Sequence, residues 1–373
     1  MPFVGTDEVD QRPHVMVDGA ARPGTVLALS HWPATPTPPE LARDLSTEIV
    51  YEYLRHPGLW TREAEAVTCD HLDEDGLASL FFVVEPEAAL AHAGSLIGIA
   101  RAGDFDVLDT VEAGRAVWAL RALADPERSP FAPETGQQAV ARTGWPSIAY
   151  AELLGRLVEL IEHPDRFREW WAEEDASYEA GLAALGRGDL HIEEHPDLDL
   201  AVVRASAQLV PDRFARVGHA GVLPVHPAVL HGATAATRVL VARGRSYCYY
   251  DRYETWVRYV SRRLPLRRDL EPLALALSGE EQRGPRWEAD SPGTLVPVLR
   301  PQGDTESSIP IDRLVELVRG HLESAPGAWA PFREGGAYVA PPRPVSARAG
   351  STAETTGRGR ARWRGLRKGG PSA

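Results

Sequence analysis

Lysine is nearly missing from this chain: of 40 basic residues, Lys368 alone is a lysine. A Walker-type phosphate loop needs a lysine directly after its glycines, so P-loop chemistry is excluded for the folded part. Cysteine is almost as scarce. Cys69 and Cys248 stand too far apart for a CxxC zinc pair and too few for a disulfide framework. They fit a reducing compartment, and we expect a cytoplasmic protein. No stretch approaches the ~20 consecutive apolar residues of a membrane helix. The opening MPFVGTDEVDQRPH carries acids where an export signal has a basic start and an apolar middle. No membrane partner is therefore expected. A Gly-x-Ser-x-Gly elbow is also missing, as is any reactive-cysteine context, which leaves serine and cysteine nucleophiles without support.

Acid is what the chain has in excess, 53 acidic residues against 40 basic ones for a net charge of -13. Between positions 341 and 373 eight basic residues face Glu354 alone, so this tail carries +7 and the remainder -20. An acidic body repels nucleic acid, so a long nucleic acid is expected as a partner only through the tail. A bound ion reverses the local charge, and a metal site could still hold phosphate. With 373 residues, 43% apolar and 25% charged, the chain suits two globular domains.

Thr25 to Ser30 (TVLALS), between Pro23-Gly24 and His31-Trp32-Pro33, reads as a buried parallel strand. Leu41 to Leu54 has helical spacing, with Leu45, Ile49 and Tyr53 on one stripe. Ala64 to Cys69 reads as a second strand, followed by an acidic corner and a helix beginning at Leu77. SLIGIARAGDFDVL reads as a third unit of the same kind, and Val111 to Leu123 as a further helix. Alternation of this sort predicts an α/β fold with a mostly parallel sheet covered by helices on both faces. The pattern from 146 to 186 is helical. DLHIEE, LDLAVVRA and a hairpin turning near Arg243-Gly244 then predict a smaller α/β domain, closed by a helix over Pro310 to Leu322. The expected organisation is a polar leader (1–20), a metal-site domain (21–145), a helical connector (146–186), a smaller domain (187–332) and a disordered basic tail (333–373).

The corner itself is Cys69 to Leu80, CDHLDEDGLASL. His71 and Asp73 alternate with Asp75 at the end of a strand, where alternate side chains share a face. The carboxyl ends of parallel strands are also where open α/β sheets bind ligands. Two carboxylates and an imidazole this close raise one another's pKa unless a cation sits among them. Oxygen-rich ligation with one imidazole suits one or two Mn²⁺ or Mg²⁺ ions better than structural Zn²⁺. The competing reading is a solvated turn in which the aspartates cap the next helix. Gly76 is expected to allow a sharp turn and close approach of a ligand.

HLDEDGLAS resembles the first motif, H-x-D-x-D-G-x-x-S, of the Asp-His-His (DHH) phosphoesterases, and the chain also looks like an actinobacterial family sharing the strand that ends in His-Trp-Pro. The DHH resemblance implies two Mn²⁺ or similar ions on the first domain, substrate recognition by the second, and hydrolysis of phosphodiester or phosphoanhydride bonds. It makes His71, Asp73 and Asp75 ligands, with Asp73 and Asp75 at the catalytic centre. A bridging aspartate at a neighbouring strand end is also implied, for which Asp104 is the first candidate and Asp106 the second. No Asp-His-His tripeptide occurs in this chain. The second domain's histidine motif is absent too, with His219 and His231 as replacements.

Other residues join as candidates. His31 ends its strand on the same sheet edge as His71, and Asp44 and Glu48 stand one turn apart on the next helix. Strand-end packing and helix capping are the alternatives for these three. His191 and His195 share a strand face about 13 Å apart, too far for one ion. Arg245, Tyr247, Tyr249, Arg252, Tyr253 and Trp256 alternate, so that rings could stack a base while Arg245 and Arg252 meet phosphate, unless they simply form an aromatic sheet face. The expected activity is a metal-dependent phosphoesterase acting on a phosphate-containing small molecule or short oligonucleotide. A relative that binds a nucleotide or protein without turnover is the alternative.

Overall fold

Three short parallel strands at the amino end organise the first half of the molecule. The computed structural model describes residues 1–9, 11–132, 144–215, 223–282, 284–334 and 337–338. Here β1 (His14–Val17), β2 (Thr25–Leu29) and β3 (Ala66–Thr68) pair in parallel in the order β2-β1-β3. All four residues of β1 are completely buried, as the middle strand of a covered parallel sheet should be. The segment read as a polar leader thus supplies the central strand. Four residues are too few for periodicity to register. The link from β1 to β2 is also short for a parallel pair, which usually needs a dozen residues or more. It is closed by two left-handed residues, Asp18 (φ 43°) and Gly24 (φ 87°).

Helices α1 (Thr6–Val9), α2 (Ser46–Arg55), α3 (Glu74–Val84), α4 (Pro86–Ala91), α5 (Ala93–Phe105) and α6 (Val111–Ala124) complete this half. SLIGIARAGDFDVL is therefore a helix and not a third strand-helix unit. Leu96, Ile99 and Ala100 bury one face while Gly98, Ala102 and Phe105 bury the opposite one, so the helix is apolar nearly all round and a short apolar run leaves it ambiguous with a strand. Connector helices α7 (Trp145–Leu154), α8 (Leu157–Glu162) and α9 (Arg168–Arg187) follow as expected.

The second half is built on a six-stranded mixed sheet, β4 (Leu190–His195), β5 (Leu200–Ala205), β6 (Arg238–Arg243), β7 (Ser246–Asp251), β9 (Trp287–Ala289) and β10 (Val298–Pro301), in the order β4-β5-β6-β7-β10-β9. Only β5 and β6 are parallel. The β6–β7 hairpin turns at Gly244 (φ 61°), as expected. A separate two-stranded ribbon joins β8 (Arg267–Arg268) to β11 (Gly327–Trp329). Alternation along β7 sorts the large sheet's faces. Cys248 and Tyr250 join a core continuous with the first domain, while Tyr247 and Tyr249 join a second core. That second core includes residues of α11 (Glu271–Glu280) and α12 (Ile311–Ser324). Helix α10 (Pro227–Ala233) contributes to the first core.

Gly76 lies inside α3, where its role is space and not a turn. A Cβ there would stand 2.5 Å from the Tyr150 hydroxyl and 2.8 Å from the Cys69 sulfur. That gap lets the Tyr150 hydroxyl donate to the His71 carbonyl at 2.5 Å and lock α7 to the corner. Gly76→Ala should cost about 1–3 kcal/mol through overpacking, measured by urea denaturation. An unchanged midpoint would show that the corner gives way freely.

Candidate metal centre

Because β1, β2 and β3 run parallel, their carboxyl ends open on one edge, and each delivers chemistry to the same point. Asp18 follows β1 directly, His31 stands two residues past β2, and Cys69 to Asp73 follow β3. Asp75 comes from the first turn of α3 and Asp104 from the last turn of α5.

His31 has a fully buried side chain, and its Nδ1 sits 2.6 Å from the Asp44 carbonyl, which fixes the proton there. Its Nε2 is then a lone pair. It faces Asp18 Oδ1 at 3.5 Å, Asp104 Oδ2 at 3.5 Å and Asp75 Oδ2 at 3.8 Å. Distances of this size are long for hydrogen bonds and suit atoms sharing an ion, which stand about 3 Å apart around a centre about 2.1 Å away. His31 Nε2, Asp18 Oδ2 and Asp104 Oδ2 are buried and without a hydrogen-bond partner among the described residues. His31 Nε2 and Asp104 Oδ2 face each other while Asp18 Oδ2 lies toward His71, and buried orphan atoms of this kind are costly unless a cation satisfies them.

Asp75 is anchored first by backbone. The start of α2 has no side-chain cap of its own, and the Ser46 and Thr47 amides donate instead to Asp75 Oδ2 (2.8 Å) and Oδ1 (2.7 Å). Those orphan amides and the helix dipole favour a carboxylate. Burial nevertheless pushes the Asp75 carboxyl well above its usual range, and Asp18 beside it adds to the shift. Burial also raises Asp104, followed by the charges of Asp75, Asp73 and Asp18. Desolvation lowers His31. Each shift has the direction that burial imposes on an ionisable group in a dry interior.

A second group adjoins the first through Asp18. Its Oδ1 accepts from the Ser46 hydroxyl at 2.6 Å, while its Oδ2 faces His71 Nε2 at 3.4 Å. His71 Nε2 also meets Asp73 Oδ2 at 2.7 Å, and its Nδ1 meets Asp70 Oδ1 at 3.0 Å. Burial works against the imidazolium, yet the surrounding carboxylates, Asp73 foremost, raise its pKa. The capping reading of Asp73 also holds: Oδ1 accepts from the Gly76 amide at 2.8 Å and starts α3. One oxygen caps and the other turns to His71. Cys69 Sγ, Asp18 and His71 lie close enough to share an ion, as do Asp18, His31 and Asp75. Burial raises the Cys69 thiol, which stays protonated against the Tyr150 hydroxyl. These buried His, Asp and Cys groups can hold a metal ion.

Other expectations fall elsewhere. Asp44 points its carboxylate away, accepting from the Val260 and Ser261 amides at 2.6 and 2.9 Å, and only its carbonyl reaches His31. Glu48 pairs with Arg101 at 3.2 Å. Asp106, left-handed at φ 51°, stands 3.7 Å from Arg121 and 3.9 Å from His231, outside the cluster. Asp104 stands at a helix end and not a strand end. Arg245 is exposed and bonds the Ser308 carbonyl, away from the centre. Tyr247 and Tyr249 are core residues, as a sheet face would have them. His219 lies outside the described residues. Asp18 was not anticipated; the only signal was an aspartate closing the apolar run of β1.

Between the halves a cavity of about 390 Å³ borders His71, Asp73 and Asp104 on one side and His231, Arg252 and Tyr253 on the other. Mn²⁺ should raise the melting temperature, and Asp18→Asn or Asp75→Asn should cancel most of that rise. The folded pKa values of Asp75 and Asp104 are raised. The folded state therefore holds protons that the unfolded chain has lost, and the metal-free protein loses stability as pH climbs past the ordinary carboxylate range. The ion offsets that loss, so its stabilisation should be larger at pH 7.5 than at pH 5.5. A shift equal at both pH values would place the ion elsewhere.

No curated protein and no solved structure matches the chain. A family model does match residues 1–333, and the chain belongs to DUF6687, a family of unknown function.

Proposed function

We propose that this chain is a divalent-metal-dependent phosphoesterase of the DHH kind, using Mn²⁺ or Mg²⁺ on a phosphate ester such as a nucleotide or short oligonucleotide. The observation that carries the reading is Asp18 between two ligand groups, Asp18–His31–Asp75 and Asp18–Cys69–His71. A carboxylate shared in this way is what the DHH resemblance implies for its bridging aspartate. In this reading Asp18 takes the role first expected of Asp104, and His31 stands in for the missing Asp-His-His histidines. The group Asp18–His31–Asp75, two carboxylates and one imidazole, favours Mn²⁺ or Mg²⁺, and in the other group the protonated Cys69 leaves Asp18 and His71 as the donors.

Ions held there would supply Lewis acidity to a phosphoryl group. The residues' own tasks are positional. The Asp44 carbonyl holds the His31 tautomer, the α2 amides hold Asp75, and Gly76 holds one oxygen of Asp73. Such supports keep a site within the narrow geometry that catalysis needs. A binder without turnover is the second reading, favoured because Arg252 spends its terminal nitrogens on the Thr234 carbonyl and Glu254.

With Mn²⁺, the protein should hydrolyse bis(p-nitrophenyl) phosphate, and Asp18→Asn should cut kcat/KM by about 100-fold or more. Arg245→Ala, exposed and remote, should not change it. A Mn²⁺-stabilised protein that turns over no phosphate ester would instead establish the binder.

A further inference from the structure

The cavity beside the metal ligands has little cationic charge to spare. Arg121 places Nε 3.1 Å from Glu74 and Nη2 2.8 Å from the Gly103 carbonyl, with Asp106 3.7 Å from Nη1. Arg252 pairs with Glu254 and donates to the Thr234 carbonyl at 3.2 Å. His231 meets the Phe105 carbonyl and the Tyr250 hydroxyl, each at 3.0 Å. Of the lining groups, the Trp32 indole N–H and the Arg252 Nε–H are buried without an acceptor among the described residues. Both N–H groups are shielded from solvent, so neither adds a free positive charge to the cavity wall. A pyrophosphate or polyphosphate would bring several further charges to a wall whose arginines already face carboxylates.

The rest of the wall is aromatic and apolar, with Trp32, Phe105, Tyr253, Leu295 and Val296. Trp32 and Tyr253 are only partly buried, both rings contact Trp256, and Trp32 also lies against His71 (4.9 Å, 36°). The Trp256 ring stacks on Tyr253 (5.7 Å, 18°) and meets Trp32 edge-on (5.3 Å, 81°). Trp329 lies parallel to Trp256 at 6.4 Å and extends the ladder. Rings fixed in advance cost little entropy when a flat ligand settles on them. About 390 Å³ falls within the range of small-ligand pockets.

Resting on the metal-site reading above, we infer that the cavity takes an ester of one phosphate carrying a flat aromatic group, a nucleoside monophosphate or its diester, in preference to pyrophosphate or polyphosphate. Trp32 recognises the ring, and the phosphate end lies toward the ion that Asp18, His71 and Asp73 would hold.

Calorimetric titration of the full chain loaded with Mn²⁺ tests this with AMP, ribose 5-phosphate, inorganic phosphate and tripolyphosphate. One stacked base is worth roughly a tenfold gain in affinity. AMP should bind about 10-fold tighter than the other three, Trp32→Ala should bring it down to the level of ribose 5-phosphate, and Trp32→Phe should keep most of the gain. Cooperative thermal unfolding of both variants without added Mn²⁺ shows that they are folded. Tripolyphosphate binding more tightly than AMP, or AMP equalling ribose 5-phosphate on the unaltered protein, overturns the inference without recourse to any variant. Turnover of bis(p-nitrophenyl) phosphate is followed separately. A protein that binds AMP but cleaves nothing sinks the phosphoesterase reading alone, and one that cleaves the diester yet prefers tripolyphosphate sinks this inference alone.

Discussion

Everything at this site depends on the crowding of acid where three parallel strands end. Asp18, Asp75 and the side chain of Asp104 are almost wholly buried around His31, and Asp73 and His71 adjoin them through Asp18. Anions in a dry interior repel and lose hydration, so they either take up protons or gather a cation. The chain fixes them in place in advance: Asp75 on the amides of α2, Asp18 on the Ser46 hydroxyl, His31 on the Asp44 carbonyl. A fold that only tolerated these acids would let them turn to water. Holding them together is a stability cost that a bound ion would offset, and strain of this sort gathers at functional sites.

The same constraint explains the local backbone. Asp18 sits at φ 43°, a conformation that aspartate tolerates better than most residues. From there its two oxygens turn to different imidazoles, one to His31 and the other to His71. The second half of the molecule takes part from outside. The Arg258 amide donates to the His31 carbonyl at 2.7 Å, and Asp44 receives the Val260 and Ser261 amides. Packing of the large sheet against the first domain therefore braces the strand-end loop that carries His31, and it also closes the cavity next to the ligands.

How much of this was legible in the sequence varies by residue. The α/β class, the strand before His31, the corner and the β6–β7 hairpin all announce themselves through apolar runs and turn residues. His71, Asp73 and Asp75 were readable because one short segment holds all three at fixed spacing. His31 was readable as a strand end. Asp18 was not, since it follows a four-residue strand in a stretch that reads as polar, and what brings it to His31 is sheet pairing across 13 positions. Asp104 does come within 3.5 Å of His31, but from a helix end and not the expected strand end, because its apolar neighbours fit a strand as well as a helix. Asp44 and Arg245 were misplaced because spacing says nothing about which long-range partner captures a side chain.

Anomalous diffraction from crystals grown with Mn²⁺ tests the central claim most directly. The account predicts two Mn²⁺ peaks on either side of the Asp18 carboxylate, one toward His31, Asp75 and Asp104 and the other toward His71 and Asp73. Ordered crystals with no peak within coordination distance of Asp18 would contradict it.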